Sequence, residues 1–458
     1  MKNWQRLIAS RQVVRGLLVL SAAVLIFSAP ARTQAWPDIF DPTQLMTMHL
    51  EMDSLDWVTV QNDLTFDIEV PAQFWIDGED PILIAVRRKS CDALEESPDF
   101  LKVSLKLDIN EYLPDQEWHN LRKLSLENGD DQDVVSEGFA WYLHHVANFS
   151  EGYDYSYSPA YASWIKLYIN GYYTGVYVLC EQRDKQFLEN RGLYISGVTW
   201  LYKVIGQNEE RLEVGDGDSP AKLALCYPPF RYDSLGCYTP PHEILATELP
   251  LYIDMQAMLT MGAVNCFAQN KDDLFSHNQN TYYIDFLYGQ ERMYLPWDLD
   301  SPRNTGSTQI YPLGLAAYGD SILGVPEFRD QYTGIMYDLL DGPFTEENLF
   351  PFIGMAEALL SEALEADPNN ALGGDPPSEF FDALRTWITD RRAEAYSQLD
   401  DPPTDAEIPD VEDVITLFSP APNPCRTSTR INWAMSKEAD ISLQIFDVAG
   451  RLVATLVD

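Results

Sequence analysis

Two short runs hold the residue types and spacings that chemistry needs. The first is Asn270-Lys271-Asp272-Asp273, followed by His277-Asn278 and Asn280; the second is Pro296-Trp297-Asp298-Leu299-Asp300. Phosphoryl transfer uses such groups in set roles. One carboxylate after a helix orients the acceptor hydroxyl, an amide a few residues later ligates a metal, and a second carboxylate past a hairpin holds Mg²⁺ across the nucleotide phosphates. Mg²⁺ is hard and takes oxygen ligands from one or two carboxylates plus phosphates. Asp273 to Asn278 has the D-x-x-x-x-N spacing of a kinase catalytic loop, and Asp298 or Asp300 falls where a metal-binding Asp belongs. D-x-D pairs also serve metal-dependent glycosyltransferases and calcium loops. With 71 acidic residues in the chain, a solvated acidic loop is the bland alternative.

The neighbouring patterns predict the elements that carry these runs. Apolar residues at helical spacing from Glu243 to Ala268 predict one helix, or two split near Pro250, ending just before the first run. NTYYIDFLYGQERMYLPWDLD (280–300) predicts a strand, a glycine turn and a second strand ending at the second run. Upstream, WVTVQNDLTFDIEV, ILIAVRRK, LKVSLKLDI and LRKLSLEN read as strands, and Val134 to Asn148 as a helix. Asn170-Gly171 between alternating runs predicts a tight hairpin. A helix follows at RDKQFLENR and a strand at TWLYKVI, then an irregular insertion from Gly206 to Pro241. Phe328 to Leu340, Glu346 to Glu365 and Ser378 to Leu399 have amphipathic helical periodicity. The expected fold class is α+β, a β-rich N-terminal portion ahead of a helical C-terminal one.

WIKLYINGYYTGVYVLCEQRDKQFLENR, then WLYK, NKDDLFSHNQNTYY and YLPWDLD follow the order and wording of the CotH kinase family, and ALRTWITDRRAEAYSQL resembles that family's final helix. The likeness spans roughly residues 50–400 and is strongest from 163 to 301. It implies an atypical, two-lobed protein-kinase-like fold that transfers the γ-phosphate of ATP to serine on exported proteins, with Mg²⁺ or Mn²⁺. Carried over, Asp272 is the catalytic carboxylate with Asp273 as alternative. Asp298 binds the metal with Asp300 assisting, and Asn278 or Asn280 is the amide ligand. Glu181 and Gln182 lie at the hinge near the adenine. Arg87, Lys106 and Lys203 are the candidates for the phosphate-contacting cation. Where the family has R-x-K-G-x-S-S, this chain reads Arg87-Arg88-Lys89-Ser90-Cys91, without the glycine that permits close approach to phosphate. A pseudokinase serving surface or matrix assembly is the competing class, and a D-x-D glycosyltransferase a third.

Residues 1–31 have a basic head, an apolar run from Gly16 to Ala29 and the small-x-small exit Ala29-Pro30-Ala31, the three parts of a signal peptide. Export is therefore expected. The formal charge is −40, which repels nucleic acid and anionic lipid at long range. The six cysteines (91, 180, 226, 237, 266 and 425) permit disulfides in an oxidising compartment, with Cys226–Cys237 the expected pair. Residues 401–417 read as an acidic, Pro-bearing linker. From 418 to 458, Pro422-Asn423-Pro424, Thr429 with Ile431, and Ile445-Phe446-Asp447 running into Gly450-Arg451 resemble FlgD-type immunoglobulin-like and secretion-sorting modules. An incomplete β-sandwich, with secretion or anchoring machinery as partner, is the expectation. Trp297 and the Tyr172-Tyr173 pair read as core aromatics, and His144, His145 and His277 as solvent-facing histidines.

Overall fold

The computed structural model describes residues 38–89, 102–129, 133–149, 157–206, 209–225, 230, 242–287, 290–306, 308–369, 372, 376–400 and four short strands after 414. The predicted signal peptide and the Cys226–Cys237 pair lie outside the described residues.

Alternation of buried and exposed side chains builds the N-terminal portion. The strands are β1 (Met46–Glu51), β2 (Val70–Ile76), β3 (Ile82–Arg88), β4 (Leu105–Asp108), β5 (Lys123–Glu127), β6 (Ala162–Ile169) and β7 (Tyr172–Glu181). They close into a barrel in the order β1-β2-β3-β4-β5-β7-β6, the parallel pairing of β1 with β6 making the seam. Phe74, Ile84, Val86, Leu124 and Leu126 are fully buried. The β6–β7 turn is the predicted Asn170-Gly171, both at positive φ (51° and 80°), as a two-residue hairpin turn of this hand requires. Within WVTVQNDLTFDIEV, however, residues 57–62 belong to helix α1 (Ser54–Asn62), and β2 starts only at Val70. Asp53 caps α1, its side chain accepting from Leu55 N; that start signal outweighs the β-branched alternation that suggested a strand.

Helix α2 (Val134–Phe149) lies between β5 and β6 in the chain. After β7 come α3 (Lys185–Asn190), β8 (Thr199–Gly206), β9 (Glu209–Val214), α4 (Pro220–Ala224) and α5 (His242–Glu248). The stretch predicted as irregular from 206 thus contains a strand and a helical turn. β9 pairs with β8, and Ser219 caps α4 by accepting from Lys222 N. Helix α6 (Met255–Ala268) is buried on nearly every side, as a helix apolar all round must be. α7 (Leu274–His277), β10 (Thr281–Phe286) and β11 (Met293–Pro296) follow, and β11-β10-β8-β9 form a second, antiparallel sheet. The C-terminal portion is α8 (Ala317–Leu323), α9 (Pro326–Asp341), α10 (Glu346–Glu365) and α11 (Pro377–Leu399).

Two small antiparallel sheets end the described chain: β12 (Ile415–Leu417) with β13 (Trp433–Met435), and β14 (Leu443–Phe446) with β15 (Leu452–Val457). Ile415–Leu417, at the end of the stretch read as a linker, forms β12. Among the described residues no helix is long and apolar enough to cross a membrane.

Candidate active site

The helix α6 and the β10–β11 hairpin bring the two acidic runs together. Asp272 follows α6, and Asp298 follows β11 in a left-handed backbone conformation (φ 56°). Ser301 Oγ donates to Asp272 Oδ2 at 3.2 Å, tying the loop after Asp300 to the loop after α6. His277 Nδ1 donates to the other oxygen, Oδ1, at 2.9 Å. Asp272 keeps an accessible carboxylate, 17% exposed.

Asp273 differs. It is 1% exposed, and its Oδ1 accepts from Ser276 N at 2.7 Å, capping the single turn of α7. Burial pushes its carboxyl up to about 7 against the Ser276 hydrogen bonds, and its second oxygen has no partner. Asn278 ends the same turn at φ 54°, with its Oδ1 accepting from Tyr318 N at 3.0 Å. The backbone carbonyl of Asn280 accepts from Trp297 N at 3.1 Å, next to Asp298. The D-x-x-x-x-N spacing of Asp273 and Asn278 thus delimits a capped turn.

Lys89, one residue past β3, is the cation that reaches Asp298. Its ammonium pairs with Asp298 Oδ1 and donates to Glu127 Oε2 at 2.7 Å, and Ser125 Oγ donates to Glu127 Oε1 at 2.6 Å. Burial opposes a charge on Lys89, but Asp298 and Glu127 together hold its pKa well above the ordinary lysine value. Burial likewise opposes charge on Asp298, and Lys89 and then Lys203 hold its carboxyl below the usual range. Glu137 on α2 is buried nearby with neither oxygen partnered; burial, Glu127 and Asp300 keep its pKa well above the usual carboxylate range.

A cavity of about 220 Å³ opens beside this cluster. Arg87, Lys106, Lys123, Gln182, Arg183 and Arg211 line it, with Glu69, Asp108, Asp184 and Glu213. Arg87 and Lys106 face each other across β3 and β4. Burial, with Lys203, Lys89 and Arg87 nearby, pushes Lys106 down to about 7. Lys203, on β8, sits over the Tyr282 ring and is also lowered, mainly by burial.

Two of the sequence-predicted cations, Arg87 and Lys106, therefore line one space with Gln182 on its wall, and Lys203 is near enough to lower Lys106. Glu181 is turned elsewhere: both its oxygens pair with Arg191 at 2.7 Å, and Oε2 also accepts from Tyr161 N. Lys89, Glu127 and Glu137 escaped the sequence reading as site residues. Lys89 stands at the Lys of the family's R-x-K pattern, which was signal enough. Glu127 and Glu137 sit among buried apolar neighbours, and only that placement marks them.

The histidine expectation is corrected for two residues. His144 is fully buried, hydrogen-bonded to Tyr157 Oη at 2.7 Å and Asn265 Oδ1 at 3.1 Å, and His145 is 8% exposed. Both face inward because α2 packs on α6 and the barrel. His277 is exposed, as expected. Trp297 is core, 1% exposed; Tyr172 is 79% exposed and is corrected to a surface residue of the hairpin turn.

The donors fit a polyphosphate. Arg87, Lys123 and Arg211 already face Glu69, Asp108 and Glu213, but Lys106 loses charge affinity beside Lys203, Lys89 and Arg87, and buried Arg183 keeps Nε and Nη1 unpartnered; an anion would complete those two. Among the described residues no three His, Cys, Asp or Glu side chains form a metal cage. A divalent ion held by Asp298 and Asp300 would therefore share its ligands with phosphate oxygens, as Mg²⁺ ordinarily does.

No curated protein matches this chain. Among solved structures it is similar to the crystal structure of a Helicobacter pylori proinflammatory kinase CtkA, at 12% identity and a TM-score of 0.27, over 66% of this chain and 94% of that one. Residues 95–395, more than half of the 458, match the family described as CotH kinase protein, and the chain belongs to that family.

Proposed function

We propose that this protein is an ATP-dependent protein kinase that phosphorylates serine on exported or surface proteins. The observation that carries the reading is the buried Lys89–Glu127 pair joined to half-buried Asp298 beside a cavity lined by both cations and acids, with Asp272 hydrogen-bonded to the Asp298 loop. Lys89, Arg87, Lys106 and Lys203 would hold the phosphates, and the chain at Glu181–Gln182 the adenine. Asp298 and Asp300, with Asn278 or Asn280, would hold Mg²⁺ or Mn²⁺. Bound there, the cation supplies neutralisation of the charge that develops on the transferring phosphoryl group. Asp272 accepts the serine hydroxyl's hydrogen and aims its oxygen in line. Of the two adjacent aspartates it is the accessible one. A general base must first reach the proton, whatever its pKa.

Export and a surface partner rest on the N-terminal segment and the C-terminal sorting-type motif in the sequence. One observation favours a non-catalytic scaffold instead: Asp298, the proposed metal ligand, is engaged by Lys89. Both readings, and the glycosyltransferase one, separate in one assay. The full chain is incubated with labelled ATP or a labelled nucleotide sugar, Mn²⁺ or Mg²⁺ and a serine-containing protein acceptor. Phosphate transfer from ATP that Asp298→Asn loses supports the kinase. ATP-raised thermal stability without transfer supports the scaffold, and sugar transfer the third reading.

A further inference from the structure

We propose that His277 is a positioning residue that fixes the carboxylate of Asp272 in the orientation the acceptor hydroxyl meets. This rests on the kinase reading above and adds a residue to it. A carboxylate on one flexible χ2 rotates freely in water, so an accessible base loses alignment unless both oxygens are held. Here two donors from separate segments hold them: His277 Nδ1 on Oδ1 at 2.9 Å and Ser301 Oγ on Oδ2 at 3.2 Å. Lys271 Nζ stands 3.8 Å from Oδ2. Each oxygen retains a second lone pair for a hydroxyl.

The imidazole can hold its place because the turn beneath it is locked. Asp273 caps α7 and its carbonyl accepts from His277 N at 2.9 Å; Asn278 closes the turn and accepts from Tyr318 N. Phe275, at the centre of the turn, is fully buried. A Cβ added at Gly262 would lie 2.4 Å from its ring, and one at Gly319 2.5 Å from its carbonyl oxygen. Two glycines thus let α6 and α8 close directly on this turn. The His277 side chain itself is 51% exposed and packs no core, so its removal tests alignment with little cost in stability.

The test compares wild type, His277→Ala and His277→Asn in γ-phosphate transfer. Asparagine can place an N–H where Nδ1–H stands. The expected result is a kcat lowered on the order of 10- to 100-fold in His277→Ala, an unchanged KM for ATP, an unchanged melting temperature, and recovery of most of kcat in His277→Asn. Wild-type kcat in His277→Ala, or equal losses in both variants, overturns the proposal while leaving the kinase reading standing. A wild type that transfers nothing defeats the kinase reading, and ¹⁵N spectra of the His277 ring then decide the contact. An Nδ1–H tautomer that Asp272→Ala abolishes supports it, and a ring indifferent to that change overturns it.

Discussion

Lys106 shows how far a single residue's chemistry is set by its neighbours. An isolated lysine stays charged at neutral pH, yet burial beside Lys203, Lys89 and Arg87 brings this one down to about 7. A bound polyanion reverses the balance by adding negative charge to the same space. If ATP occupies this cavity, Lys106 is mostly neutral at about pH 8 when free and charged in the complex, so ATP binding is expected to take up a proton. Titration calorimetry in buffers of different ionisation heat reads that uptake, and Lys106→Met is expected to remove it. Uptake that persists in the variant contradicts the assignment. Lys106 was legible in the sequence as a basic residue on a strand. Its partner cations were not, because Lys203 comes from a different sheet. Lys89 is marked by the R-x-K pattern, but its partners, Glu127 and Asp298, are not, since they lie 38 and 209 residues away.

Among the elements, the one-turn helix α7 carries the most information per residue. Its sequence reads as a catalytic-loop spacing, but Asp273 and Asn278 serve as its two ends. The distinction has a thermodynamic consequence. The folded value of Asp273, about 7, lies above its ordinary 3.8. The native chain therefore keeps a proton that the unfolded chain sheds between those values. Stability from this group is full below pH 4 and falls as pH rises through 7, by up to about 4 kcal/mol. Asparagine also caps helices and cannot ionise, so Asp273→Asn is expected to flatten that slope in urea unfolding between about pH 5 and about pH 8. An equal slope in both proteins contradicts the cap. The long elements were legible from periodicity and punctuation: the Asn170-Gly171 hairpin, α2, and α9 to α11 sit where the pattern placed them. α1 was not, because Trp57, Val58 and Val60 alternate like a strand while the capping Asp53 lies outside that run.

At the scale of the whole molecule, a buried carboxylate helps to fasten the barrel to the helical portion. Asp367, just after α10, accepts from Lys102 Nζ at 3.2 Å and Val176 N at 2.9 Å through one oxygen, and from Asn369 N through the other. Gly175 makes room: an added Cβ would lie 2.4 Å from Asp367 Oδ2. Asn369 Nδ2 and Tyr173 Oη add hydrogen bonds between the same two segments. Asp367→Ala is expected to lower stability by about 3 kcal/mol, seen as a shifted denaturation midpoint at constant slope; a loss under about 0.5 kcal/mol contradicts this role. Barrel closure was beyond the sequence, since the β1–β6 pairing joins strands more than a hundred residues apart, and no local pattern marks that seam. The order of the acidic runs was legible; their convergence required the fold. The central claim is that Asp272 acts as the base and Asp273 as the cap. Initial rates of γ-phosphate transfer for Asp272→Asn and Asp273→Asn test it most directly. The account predicts a loss on the order of 100-fold or more for Asp272→Asn and near wild-type rates for Asp273→Asn. The reverse order, or equal loss in both, would contradict it.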